Sequence, residues 1–182
     1  MNDLQGSAEF SVEDPPLFRW RLDRWWAEGP RALVCMANPS YAGGDKNDPT
    51  VTQLIKLIRA LGYPGFTVVN WSPFIATDPS ALHAWRWNDP TAYKDSTQQN
   101  LANIERWTRG AAARFVAWGN IPPHTKAVVE SLSAGGDYEL YAFARTKSGN
   151  PVHPMARGKN RLKIGAAPIV WQAALEKWNN AD

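Results

Sequence analysis

The chain reads as an α/β protein, a three-layer α/β/α sandwich around a central, mostly parallel sheet of four or five strands. Three observations predict this. Apolar, β-rich runs recur at Ala32–Met36, Phe66–Asn70, Ala113–Trp118 and Tyr138–Phe143. Helical patterns separate them, most clearly Thr50–Leu61 and Pro122–Leu132, and strands alternating with helices imply parallel strands joined by crossovers. The first run also stops abruptly at Asn38-Pro39-Ser40 and opens into a polar, Gly-rich loop. That puts polar groups at the carboxyl end of a strand, where open α/β sheets bind ligands.

The elements follow in order. Residues 1–14 carry Asp3, Glu9, Glu13 and Asp14 without Lys or Arg, and Pro15-Pro16 follows. They predict a flexible acidic tail over 1–16 and a single α/β domain over 17–182. Phe18–Trp26 fits an edge strand or a short helix. Thr50–Leu61 is amphipathic, with Val51, Leu54, Ile55, Leu57, Ile58 and Leu61 on the apolar side. Asp48 suits its N-cap, Pro49 its first turn and Gly62 the residue past its end. Trp71–Tyr93 is rich in Pro and Trp and long for a plain connection, which marks a functional excursion and a candidate lid. Asn100–Trp107 reads as a helix, and Trp171–Trp178 as a last short one.

Composition narrows the function. The chain has 182 residues, a formal charge of +3 and one cysteine. One cysteine excludes an internal disulfide and a cysteine-based metal site, and Cys35 in an apolar run reads as a core thiol. His83, His124 and His153 are too scattered for metal spacing, so neither metal nor cofactor is expected. No secretory signal pattern and no apolar run of about 18 residues is visible, so the expectation is a cytoplasmic, membrane-free protein, a monomer by default. From Leu140 to Leu175 there is no Asp or Glu, while Arg145, Lys147, Arg157, Lys159, Arg161 and Lys163 fall inside. Such a run is either a solvated face or a phosphate-facing surface. Among ten tryptophans most suit a core, and one or two beside a site would stack on a flat ring.

Two resemblances rest on these residues. MANPSYAGGDKNDPT, GYPGFTVVNWSPFIATDP, ARFVAWG and TKSGNPVHP, in order over most of residues 31–154, resemble the DUF1643 family, whose function is undefined. More remotely, the order strand–(Asn-Pro)–loop, strand–Asn, strand–(Trp-Gly), strand–(His-Pro) is similar to the uracil-DNA glycosylase superfamily, in particular its mismatch-specific branch. The resemblance implies that Asn38 positions an attacking water, that Asn70 reads the base and that His153 stabilises the departing base. The Trp-Gly pair would be structural. Two departures stand out. Met155-Ala156 follows His-Pro where that superfamily has Ser-Pro, which leaves no identified wedge residue. Thr146–Asn150 also differs from its pattern.

The candidate site follows. Asn38 and His153 are the candidate catalytic residues. Pro39, Ser40, Asn70, Trp71, Lys147, Asn150, Arg157 and Lys159 are candidates for binding, the cations by meeting phosphates. Asp45 and Asp48 are secondary candidates, Asp48 first of all as a helix cap. Each has a plainer reading, since Asn before Pro often satisfies a turn and Asn ends strands. Three functions stay open: a glycosylase-like enzyme cleaving or modifying a nucleobase, a nucleic-acid or nucleotide-binding module that kept the pocket without the chemistry, and an unrelated hydrolase using Asp45 or Asp48 as base. The first two imply nucleic acid or a nucleotide as partner.

Overall fold

The computed structural model describes residues 4–40, 42–134 and 139–171. Among them, seven strands form one mixed sheet: β1 (Gln5–Phe10), β2 (Arg19–Trp25), β3 (Ala32–Met36), β4 (Gly65–Asn70), β5 (Ala113–Val116), β6 (Leu140–Ala142) and β7 (Ile169–Val170). Four helices accompany them: α1 (Pro49–Ala60), α2 (Pro79–Asn88), α3 (Pro90–Thr108) and α4 (Ala127–Leu132). The sheet runs β1-β2-β4-β3-β5-β6-β7. Its middle, β4-β3-β5-β6, is parallel as expected. Antiparallel β1 and β2 extend one side and β7 the other, so the sheet is larger and less parallel than the predicted four or five strands.

Strand alternation builds the layers. On β3, Ala32, Val34 and Met36 face the α1 side with Val51, Leu54, Leu57 and Ile58. Leu33 and Cys35 face the other side with Leu82, Ile104, Val129 and Leu132 from α2, α3 and α4. Cys35 is fully buried and burial pushes its thiol pKa up, so it is a core thiol. α1 starts where expected: Asp48 accepts from Val51 N at 2.7 Å, and Gly62, at φ +83°, lies just past the end. α3 is longer than its expected core, Asn100–Trp107, because Asp89 caps it from Ala92 N and Pro90 opens it. The 71–93 stretch thus holds α2 and the start of α3 rather than open loop.

Two sequence expectations change. Gln5–Phe10 is a strand, not a loose tail. It gains backbone bonds from β2, and Ser7 Oγ donates to Asp23 Oδ2 at 3.0 Å. Residues 19–25 form an interior strand despite four charged side chains in seven. Asp23 is 4% exposed yet surrounded: the Ser7 and Thr67 hydroxyls donate to it, and Arg21 and Arg31 pair with it. The expected last helix, Trp171–Trp178, lies outside the described residues beyond Trp171, as does Tyr138 of the fourth predicted strand.

Connections place the site. From β3 the chain crosses to β4 on one side, whereas from β5 it crosses to β6 on the other. The carboxyl ends of β3 and β5 therefore flank a topological switch point, where such sheets leave a crevice.

Candidate functional site

A cavity of about 200 Å³ opens at those strand ends. Parallel pairing sets Met36 beside Asn70, which puts Asn38, two residues on, at the same end. Asn38, Ser40, Asp48, Asn70 and His153 all line this cavity, joined by Trp118 and by Arg19. Asp48 is the only carboxylate among the described lining residues.

Asn38 is half-buried, and its amide nitrogen donates to Ala76 O at 2.6 Å and to Pro39 O at 3.1 Å. Two carbonyls on one side settle which end is nitrogen, because an oxygen there would face two acceptors. They also disfavour a carboxylate at this position. Oδ1 is left for the cavity, where it can accept from a water. Asn70 is 2% exposed. Arg19 Nη2 donates to its Oδ1 at 3.2 Å, which orients Nδ2 away from Arg19. Asn100 of α3, fully buried, donates to the carbonyls of Asn70 and Trp71 and anchors this strand end.

Arg19 is the residue sequence reasoning missed. It is 4% exposed, donates to Ala42 O at 2.9 Å, and leaves Nε unpartnered. Burial pushes its pKa down to about 10, partly opposed by the nearby Asp48. Arg24, also buried, donates to Gly43 O, Lys46 O and Asn47 Oδ1. The two arginines hold the 42–47 loop in place. Gly6 of β1 packs closely against this loop, since a side chain there would collide with Gly44 O and the Arg24 guanidinium. The only available signal was an Arg in a β-rich run, which elsewhere marks an exposed position.

His153 sits behind a turn in which Thr146 N bonds Asn150 O and Val152 N bonds Ala144 O. Its Nδ1 accepts from Met155 N at 3.1 Å, so the neutral ring carries its proton on Nε2. Burial lowers its pKa below 6.5, against a smaller opposing pull from Asp48. A neutral ring with a fixed Nε2–H is a hydrogen-bond donor at neutral pH. Gly119, at φ +69°, permits this approach, because a Cβ there would lie 3.0 Å from His153 Cβ.

The remaining candidates separate. Asp48 caps α1 through Oδ1 and lines the cavity as well, so the two readings coexist. Asp45 is exposed and outside it. Pro39 acts through its carbonyl, which accepts from Asn38 and from Ala76 N. Trp71 is a core residue: its indole N–H donates to Ile121 O at 3.0 Å, and its ring meets His124 edge-on. The tryptophan at the cavity is Trp118, buried edge-on against Trp171 with centroids 5.1 Å apart. Arg157 lines a second cavity, which shares His153 with the first. Lys147, Asn150 and Lys159 line neither.

Among the described residues no set of three His, Cys, Asp or Glu converges to hold a metal. No helix among them is long and apolar enough to cross a membrane. No curated protein and no solved structure matches the chain. A family profile described as "Protein of unknown function (DUF1643)" matches residues 19–155, three quarters of the sequence. The chain therefore belongs to the DUF1643 family.

Proposed function

We propose that this protein acts on a nucleobase, in a nucleotide or in nucleic acid, through a DNA-glycosylase-like site that hydrolyses the N-glycosidic bond or modifies the base. One observation carries the reading: Asn38, Asn70 and His153, far apart in the chain, line one small cavity at the switch point. The three bring the functions such chemistry needs. Asn38 Oδ1 accepts from a water and orients it. Asn70 Nδ2 donates to a ring oxygen or nitrogen. His153 Nε2–H donates where negative charge grows on the departing base, a contact whose loss typically costs about 2.7–4 kcal/mol of barrier. The parallel four-stranded core with helices on both faces is compatible with the glycosylase-like sandwich.

The test is incubation with DNA carrying uracil, hydroxymethyluracil and other modified pyrimidines, scored for abasic sites or altered bases. No change with any of them at high protein concentration would sink the reading.

A second reading has its own observation. Asp48 lines the same cavity, so a hydrolase using it as general base is compatible with the geometry, whereas Asp45 does not line it. Asp48→Asn separates the two, because Asn keeps the cap and removes the base.

A further inference from the structure

Beside the inner cavity lies a second, more open one of about 300 Å³, and His153 lines both. The inner cavity, at about 200 Å³, is below the roughly 300–1,000 Å³ of pockets that enclose drug-sized ligands, so it accommodates a ring rather than a nucleotide. His153 is the described residue common to both linings.

The outer lining is polar and carries one cation. Asn120, Arg157 and Asn160 contribute side chains, and Gly119 brings backbone close. Arg157 is exposed and forms no ion pair with another described residue. No described residue from Leu140 to Trp171 is acidic, while Arg145, Lys159, Arg161 and Lys163 are exposed in the same segment. In the inner cavity Arg19 is balanced by Asp48, but no carboxylate of a described residue lines the outer one. The local field therefore favours an anion outside and a neutral ring inside.

We propose that the outer cavity is a phosphate subsite: it takes the phosphate of a nucleotide whose base occupies the inner cavity, with Arg157 as its charged donor and Asn120 and Asn160 as neutral ones. This rests on the nucleobase reading of the inner cavity and narrows it, because the ligand becomes a phosphorylated nucleoside rather than a free base. A free mononucleotide and a strand offer the same chemistry. Of the three cations singled out in the sequence, only Arg157 takes part.

The experiment is calorimetric titration of the full chain with inorganic phosphate, the common nucleosides, their 5′-monophosphates, and a single-stranded oligonucleotide. It is repeated on Arg157→Ala and Asn70→Ala. Arg157 is exposed, so its removal leaves the fold intact. The phosphorylated ligands are expected to bind at least about tenfold tighter than the nucleosides, with an affinity that falls with salt. Arg157→Ala should abolish that ratio. Tighter binding of the oligonucleotide assigns the phosphate to a strand, and tighter binding of a monophosphate assigns it to a free nucleotide. Inorganic phosphate binding lost in Arg157→Ala and kept in Asn70→Ala supports the subsite even where no base is discriminated, in which case the nucleobase reading alone fails. No phosphate binding at all, or an unchanged ratio in Arg157→Ala, overturns the proposal.

Discussion

Replacing Arg19 tests how a buried cation is tolerated at this site. Arg19 is 4% exposed and makes two hydrogen bonds, to Ala42 O and Asn70 Oδ1. The fall of its pKa from 12.5 to about 10 corresponds to roughly 3 kcal/mol against the charged folded form. Arg19→Met removes that cost and keeps an unbranched apolar stem. It also strands two buried acceptors, at about 1–3 kcal/mol each. The terms nearly offset, and the net change should lie between a stabilisation of about 1 kcal/mol and a destabilisation of about 3 kcal/mol. Arg19→Lys keeps a buried charge but replaces the planar fork with a point charge that reaches fewer acceptors. Lys should therefore be less stable than Met, although it is the conservative change. Denaturant unfolding near neutral pH measures both. A Lys variant more stable than Met would refute the reasoning, since desolvation would then not dominate. Both variants release the Asn70 carboxamide from its orientation, so both should weaken ligand binding. Unchanged affinity in both would remove Arg19 from the site.

Three further outcomes are expected. Asp48→Asn should cost less than about 1 kcal/mol, because Asn caps nearly as well, while Asp48→Ala should lose about 0.5–2 kcal/mol. If Asp48 is the general base, hydrolytic activity drops at least about 100-fold in both; activity kept in Asp48→Asn would leave it as a cap alone. Gly119→Ala should destabilise by about 1–2 kcal/mol for its left-handed backbone and displace His153 as well; a variant with unchanged melting temperature and histidine resonances would contradict that packing. For His153 the unfolded chain takes up a proton near pH 6.5 and the folded chain only at lower pH. Its contribution to stability is thus complete above about 6.5 and lost as pH falls below it; an NMR titration with a midpoint above 6.5 would reverse this sign.

The elements legible in the sequence share one property: their signal is local. α1 shows its apolar face, Asp48 its cap and Gly62 its stop within fifteen consecutive residues. The strands β3 and β4 are short apolar runs buried on both faces. β1 and β2 were not legible for the opposite reason. β1 is a polar edge strand held by main-chain bonds, and β2 carries charges whose partners, Ser7, Arg31, Thr67 and the 42–47 loop, lie elsewhere in the chain. Arg24 and Asp23 look solvent-exposed by type and are buried because those partners satisfy them.

The site divides the same way. The residues after each strand end, Asn38, Asn70 and His153, were legible because a parallel sheet sends its strand ends to one edge, whatever the loops do. Which way each amide turns was not. Carbonyls of Pro39 and Ala76 orient Asn38, the Arg19 guanidinium orients Asn70, and Met155 N selects the His153 tautomer. Trp71 and Trp118 look equivalent as tryptophans next to strand ends, yet only Trp118 reaches the cavity. The sequence by itself determined the α/β class and the family, and it singled out the three motif residues as candidates, because periodicity, capping and motif order are properties of neighbouring residues. Only the tertiary structure decided that Arg19 and Asp48 line the same cavity and that Lys147 and Lys159 line neither, because burial and charge balance depend on what the fold brings from elsewhere in the chain.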